Sequence, residues 1–415
     1  MKAAIIGGGI SGLSIAQMLK AAGCEVRVFE KASTPGGLVK CSHVNGVLFH
    51  MTGGHVFNSR RQDVLDWFWP FFERDAEFFK AVRHAVVALG DQTVDYPIEN
   101  HLYQMKPEMR KAIISDLLEI NRTGYGAPAN FDEFLRRRFG KTLYEAYFHP
   151  YNAKIWQRSL EDVPLAWLQG KLPMPTIPEI LEANIAQEKE MNMVHSTFWY
   201  PLHNGSQHLA DTLAKGLDIR YNARITCIRR DSGKWIVDGE PYDKVVYTCN
   251  VRDLPQILQG GPDIASLAKA IGELEFHGTT AVLCEIDKNP YSWIYMPDTA
   301  HESHRIICTG NFSPNNDHSE RTTATIEFSR EMTMEDIQTN LARIPFHPTY
   351  LAHHYEACTY PVQTSQTKDT IDRLKAVLHP SGLYLHGRFA EWEYYNMDAA
   401  IGAGLDLCRK TAFLS

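Results

Sequence analysis

At 415 residues the chain is too long for one small core and should divide into two or three domains. Apolar residues make up 44% and charged residues 22%, the balance of a soluble globular protein. A formal charge of −7 with no basic stripe excludes a general nucleic-acid binder, while one or two placed arginines would still suffice for a small anionic ligand.

The first segment is the most informative. Ala3-Ala4-Ile5-Ile6 reads as a short buried parallel strand. Gly7-Gly8-Gly9-Ile10-Ser11-Gly12 then matches G-x-G-x-x-G, and residues 13–22 show helical spacing with Gly23 as the stop. Glu25-Val26-Arg27-Val28-Phe29-Glu30 reads as a second strand ending on an acid. Each part has a mechanical task in a dinucleotide site. Gly7 allows the tight turn, Gly9 lets the backbone approach a pyrophosphate, and Gly12 lets helix and strand pack closely. The helix N-terminus at Ile10 and Ser11 faces the phosphates, and Glu30 accepts from ribose hydroxyls. A plain glycine-rich turn would not need this strand, helix, strand and acid in order.

Farther along, residues 61–80, 107–148 and 176–193 carry helix-like spacing, with Arg136-Arg137-Arg138 reading as a solvated face. Residues 223–237 alternate and read as a hairpin turning at Asp231-Ser232-Gly233. Residues 244–248, 278–286, 322–329 and 384–386 look like strands. Helices inserted early, sheet inserted later and a return at the C-terminus predict an α/β architecture. Its discontinuous Rossmann-type dinucleotide-binding domain would hold an inserted helical domain and an antiparallel β-sheet domain. The expected boundaries are 1–90 with 205–260 and 375–415 for the first, 105–195 for the second, and 91–104 with 261–374 for the third.

The eight cysteines are scattered without a C-x-x-C pair, so neither a metal site nor a disulfide framework is expected. Only Met1 and Lys2 precede the first strand, and no apolar run reaches the length of a membrane span. The expectation is a cytoplasmic protein without signal peptide or membrane span.

Several segments carry a family resemblance. Glu30-Lys31-Ala32-Ser33-Thr34-Pro35-Gly36-Gly37 resembles the second glycine motif of the FAD amine-oxidase superfamily. That resemblance implies FAD, with Lys31, Gly36, Gly37 and Leu38 beside it. Gly387-Arg388-Phe389-Ala390-Glu391-Trp392-Glu393-Tyr394-Tyr395-Asn396-Met397-Asp398 is similar to the closing motif of UDP-galactopyranose mutases. In the same order as in that family stand Gly53-Gly54-His55-Val56-Phe57, Tyr96-Pro97-Ile98 and Gln104-Met105. They are followed by Tyr151-Asn152-Ala153-Lys154-Ile155-Trp156-Gln157-Arg158-Ser159, Arg305-Ile306-Ile307 and Tyr360-Pro361-Val362.

The resemblance implies interconversion of the pyranose and furanose forms of a nucleotide-linked sugar, with N5 of reduced FAD as nucleophile and a place in surface polysaccharide biosynthesis. It further implies an electron donor for the flavin and is compatible with a homodimer. By the same route Gly54, His55, Gly387, Arg388, Asn396 and Met397 would meet FAD. Arg305, Tyr151, Tyr360 and Tyr394 would bind the diphosphate, Trp156 would line the pocket, and Tyr96, Ile98 and Tyr103 would surround the uracil. His55, Arg305, Tyr360 and Tyr394 are the expected catalytic group.

Two departures from the pattern matter. No arginine occurs between Arg158 and Arg220, and the stretch corresponding to the family's second diphosphate-binding arginine is Lys171-Leu172-Pro173-Met174-Pro175-Thr176, with Lys171 as its cation. Asn396 replaces the family's closing aspartate. Arg305 is therefore expected to dominate anion binding. The alternative activity is an FAD-dependent oxidase or dehydrogenase of the amine-oxidase or protoporphyrinogen-oxidase type. A non-catalytic FAD-binding scaffold is a third reading.

Overall fold

The computed structural model describes residues 1–165, 175–187, 196–316 and 320–411. Among these, five strands form a parallel sheet in the order Leu383–Leu385, Lys244–Tyr247, Lys2–Ile6, Glu25–Phe29 and Asp218–Arg220. Three of the five are only three or four residues long, and those three are drawn from parts of the chain far from the first two. The helix Ile10–Ala21 covers this sheet beside the C-terminal helix Met397–Lys410, with Leu13, Ile15, Ala16 and Leu19 fully buried. Gly23, with φ of +80°, follows the first helix, as its residue type leads one to expect.

A second sheet among the described residues has seven strands. They run in the order Thr349–Pro361, Phe276–Ile286, Thr322–Phe328, Arg305–Ile307, Trp293–Tyr295, Ala85–Leu89 and Gln92–Asp95. It is antiparallel except where Trp293–Tyr295 runs parallel to Ala85–Leu89. The helices Pro107–Thr123, Phe131–Leu143, His149–Trp156 and Ile177–Ala186 pack against one end of it through a core that includes Ile113, Leu117, Phe131, Leu135 and Ile180. The α/β class with a parallel nucleotide-type sheet, helices and a largely antiparallel sheet agrees with the sequence reading.

Local differences have physical causes. Residues 61–80 are helical only in part: Gln62–Phe68 and Arg74–Glu77 are helices, whereas Phe78–Val82 is a strand paired with Thr197–Pro201. A partner more than a hundred residues away overrides the local spacing. The expected hairpin is shorter than residues 223–237 and consists of Ile228–Asp231 and Lys234–Val237. Its Ser232 and Gly233 both have positive φ, the backbone a tight two-residue turn requires. The helix expected over 176–193 is described as Ile177–Ala186, and residues 188–193 lie outside the described residues. No helix among the described residues is long and apolar enough to cross a membrane.

Candidate active site

The glycine turn is built for close approach. Gly7 has φ of +109°, and its amide donates to the Phe29 carbonyl at 2.9 Å, tying the turn to the second strand. A Cβ on Gly12 would stand 1.9 Å from the Gly7 carbonyl oxygen, so only glycine lets helix and turn pack there. Gly9 is different: an added Cβ would meet nothing nearer than Gly37 Cα at 3.8 Å. The protein itself leaves room at Gly9, and glycine there serves whatever lies against the turn. Gly9 also caps the Ile10–Ala21 helix without a side-chain bond, and the helix has no acid in its first turn, so Ile10 and Ser11 open an anion-receptive terminus.

The second glycine pair closes on the first. Gly36 and Gly37 have φ of +125° and +56°, and the Gly36 amide donates to the Gly8 carbonyl at 2.8 Å. Glu30 is buried, and its carboxylate accepts from the amides of Gly8 at 2.7 Å and Ala32 at 2.8 Å. Each oxygen keeps acceptor capacity for a ribose hydroxyl. Lys31 is exposed and Leu38 half-buried beside this turn. Gly387, with φ of +104°, packs so near the helix start that a Cβ would lie 2.6 Å from Ser11 Oγ. Glu391 holds that loop by accepting the Gly387 amide at 2.9 Å. Met397 is buried at the start of the C-terminal helix, where exposed Asn396 is the cap residue. This glycine-lined cradle, with an acid at its end, fits the adenosine diphosphate part of FAD.

A second group of polar residues stands on the large sheet. Arg305 donates through Nε to Glu327 and through Nη2 to the Tyr360 hydroxyl at 3.0 Å. The Tyr360 ring stacks between Tyr394 at 5.5 Å and His277 at 4.9 Å. The Arg388 guanidinium lies 4.7 Å from the Tyr394 ring and donates to the carbonyls of Tyr395 and Thr359 at 2.9 and 3.1 Å. On the other side of Arg305 its strand partner is Tyr295, whose ring meets Tyr96 at 4.8 Å and Tyr151 at 5.5 Å. Tyr96, Tyr151, Arg305, Tyr360, Tyr394 and Arg388 thus form one row along with Tyr295.

Electrostatics sets the protonation states. Burial pushes the Glu327 carboxyl up, but Arg305 and His304 outweigh it and hold Glu327 below the usual carboxylate range. Burial raises the Tyr360 and Tyr151 phenols, which stay protonated as donors despite nearby Arg305. His55 is half-buried beside half-buried Gly54, 3.4 Å from Thr52 Oγ1 through Nε2. Desolvation, then the Arg388 charge, pulls the His55 imidazole down to about 4, so it is neutral at pH 7.

Not every expected residue joins the row. Ile98 is fully buried in the helical core and offers no surface to a ligand, because its position belongs to a short turn packed under the Tyr96-Pro97 segment. Trp156 is 6% exposed and edge-on to Phe131, so its indole serves the core and presents little surface to a pocket. Tyr103 is half-buried beside His101 and holds Asn184 and Arg110 through its backbone. Lys171 lies outside the described residues. Three neighbours were not read from the sequence: Glu327, Tyr295 and Arg83, whose Nη2 donates to the Tyr295 hydroxyl at 2.6 Å. A lone charged residue in the otherwise uncharged strand Thr322–Phe328 was the available signal for Glu327.

Residues 10–410 match the family described as flavin containing amine oxidoreductase. The chain is 28% identical over 178 residues to the probable UDP-galactopyranose mutase of Klebsiella pneumoniae, covering 41% of this chain and 44% of that protein. It is 26% identical over 184 residues to the dTDP-fucopyranose mutase of Escherichia coli, covering 42% and 46%. These alignments span less than half the length of either relative. A crystal structure of reduced UDP-galactopyranose mutase superposes with a TM-score of 0.88 at 20% identity, over 100% of this chain and 94% of that one. At that identity the likeness speaks for the fold.

Proposed function

The chain belongs to the flavin containing amine oxidoreductase family, and from that premise we propose that it is an FAD-dependent mutase interconverting the pyranose and furanose forms of a nucleotide-linked sugar. The observation that carries this reading is the row Arg305, Tyr360, Tyr394 and Arg388, two guanidiniums interleaved with phenols. A cationic amine would be repelled there, whereas a diphosphate would find charge-assisted donors.

Bound in reduced form, FAD supplies a nucleophile at N5. The residues do the rest. Arg305 and the protonated hydroxyls of Tyr360 and Tyr151 hold the diphosphate as it leaves the anomeric carbon and keep it in place for its return. Neutral His55 would offer a hydrogen bond to the bound flavin without adding charge. Because the sugar's ring forms are isomers, turnover consumes no electrons. An electron donor is needed only to bring the flavin to its reduced state, and a homodimer is compatible with the reading. Eight free cysteines suit a reducing compartment, so we place the enzyme in the cytoplasm, where its furanose product would serve surface polysaccharide synthesis.

The test is titration of the purified yellow protein with UDP-galactose and a dTDP-linked sugar while recording the flavin spectrum. The reading predicts a saturable change reversed by UDP and none with amines. Saturation by amines alone would favour the oxidase.

A further inference from the structure

Lys154 is a buried charge to which the reaction gives no task. It sits on the helix His149–Trp156, three residues after Tyr151, and is 9% exposed. Its ammonium donates to the carbonyl oxygens of Met296 at 3.0 Å, Ser303 at 2.9 Å and Asp298. All three carbonyls belong to the loop joining the strands Trp293–Tyr295 and Arg305–Ile307. Those strands carry Tyr295 and Arg305 directly opposite each other.

One side chain therefore ties two walls together. On the helix, Tyr151 meets the Tyr295 ring edge-on at 5.5 Å and faces His304 at 6.4 Å. On the loop, the Met296 amide donates to the His304 carbonyl at 2.9 Å, so a pull on the loop moves both strand ends. An ammonium has three donors, and here each has a carbonyl. A guanidinium is larger and holds its donors in one plane, so it does not reproduce this convergence of three carbonyls on a single nitrogen. The arrangement is costly: burial pulls the ammonium down to about 8, with Asp298 and Glu302 acting against that and His301 beside it. Hydrophobic packing would have joined helix and loop without burying a charge.

We infer that Lys154 is a positioning residue that fixes Tyr151 on the helix against Tyr295 and Arg305 on the sheet, and so sets the width of the nucleotide cleft. The identity of the ligand rests on the mutase reading; the clamp itself does not.

The experiment compares the FAD-loaded protein with Lys154→Met, which keeps the volume, and Lys154→Arg, which keeps the charge. Three quantities are measured well below the thermal transitions: flavin content, UDP affinity by calorimetry, and backbone hydrogen exchange over residues 293–307. Both variants should retain flavin, bind UDP at least tenfold more weakly and exchange faster in that segment. If Lys154→Met does not fold, Lys154→Arg carries the test. Unchanged UDP affinity with only a lower thermal midpoint would overturn the proposal in favour of a purely structural lysine. Wild-type affinity in Lys154→Arg would overturn it in favour of charge alone. A wild-type protein that binds no UDP would sink the mutase reading instead. Exchange would then decide the clamp, and unchanged exchange over 293–307 would overturn it.

Discussion

Arg305 and Glu327 lie directly opposite each other on neighbouring antiparallel strands, and the Glu327 carboxylate, 1% exposed, takes the guanidinium Nε–H. The arginine expected to provide the site's positive charge thus arrives with a buried counter-charge. This changes what its removal does. Arg305→Ala strands a buried carboxylate, which typically costs about 3–5 kcal/mol. The variant should unfold at lower temperature as well as bind UDP more weakly. Adding Glu327→Gln should restore much of the midpoint while leaving UDP affinity low. Thermal melts and calorimetry on the single and double variants separate the two effects. Recovery of UDP binding in the double variant would show that Arg305 does not meet the diphosphate.

Arg83 should contribute to anion binding. Its guanidinium lies 5.5 Å from the Tyr96 ring and 5.2 Å from the Trp293 ring while bonding to Tyr295, beside Arg305. With Arg305 partly neutralised by Glu327, a further cation beside Arg305 and Arg388 gains weight. Loss of a hydrogen bond to a charged group costs about 1.5–3 kcal/mol, roughly tenfold or more in affinity. Arg83→Met should weaken UDP binding by about that factor and flatten its salt dependence. Unchanged UDP affinity and unchanged salt dependence in Arg83→Met would place Arg83 outside the site.

The two glycines of the first turn should fail differently. Gly12→Ala meets the Gly7 carbonyl oxygen at 1.9 Å and should yield little folded protein. Gly9→Ala meets nothing nearer than Gly37 Cα at 3.8 Å and should fold, yet lose bound flavin because its methyl occupies the pyrophosphate's approach. Flavin released on denaturation, identified by chromatography, should be FAD and not FMN. A Gly9→Ala protein with full FAD content would contradict the cradle.

How much of this was legible in the sequence depended on range. The glycine turn, its helix and Glu30 lie within 30 residues, and local spacing carried them. Arg305, Tyr360 and Tyr394 were reached through family resemblance, not periodicity. Glu327 was passed over because residues 322–329 read only as strand, and its partner lies 22 residues back. The long strand Thr349–Pro361 was missed because it is mostly half-buried and its pairing with Phe276–Ile286 shifts register twice, so no clean alternation survives. Lys154 stood inside a recognised motif, but its acceptors are backbone carbonyls, which no sequence displays.

Acid should destabilise the protein through His50. Its ring is buried, bonded through Nε2 to the Tyr200 hydroxyl at 2.7 Å, and desolvation, with a smaller push from His55, pulls it down to about 3. The unfolded imidazole takes a proton near 6.5. The folded pKa lies below the unfolded one, so the stabilising contribution is fully present above pH 6.5 and is lost as pH falls toward 3. The thermal midpoint should therefore drop between pH 7 and pH 4, and drop less steeply in His50→Gln. Parallel pH profiles for the two proteins would refute this assignment.

The most direct test of the central claim is a paired assay of the flavoprotein, reduced and oxidised, with UDP-galactopyranose and a dTDP-linked pyranose. Furanose product and peroxide are measured in the same samples. The account predicts furanose from at least one substrate, only with reduced flavin, and no peroxide in proportion to product. Absence of ring interconversion, with peroxide formed stoichiometrically from an amine or a porphyrinogen, would contradict it.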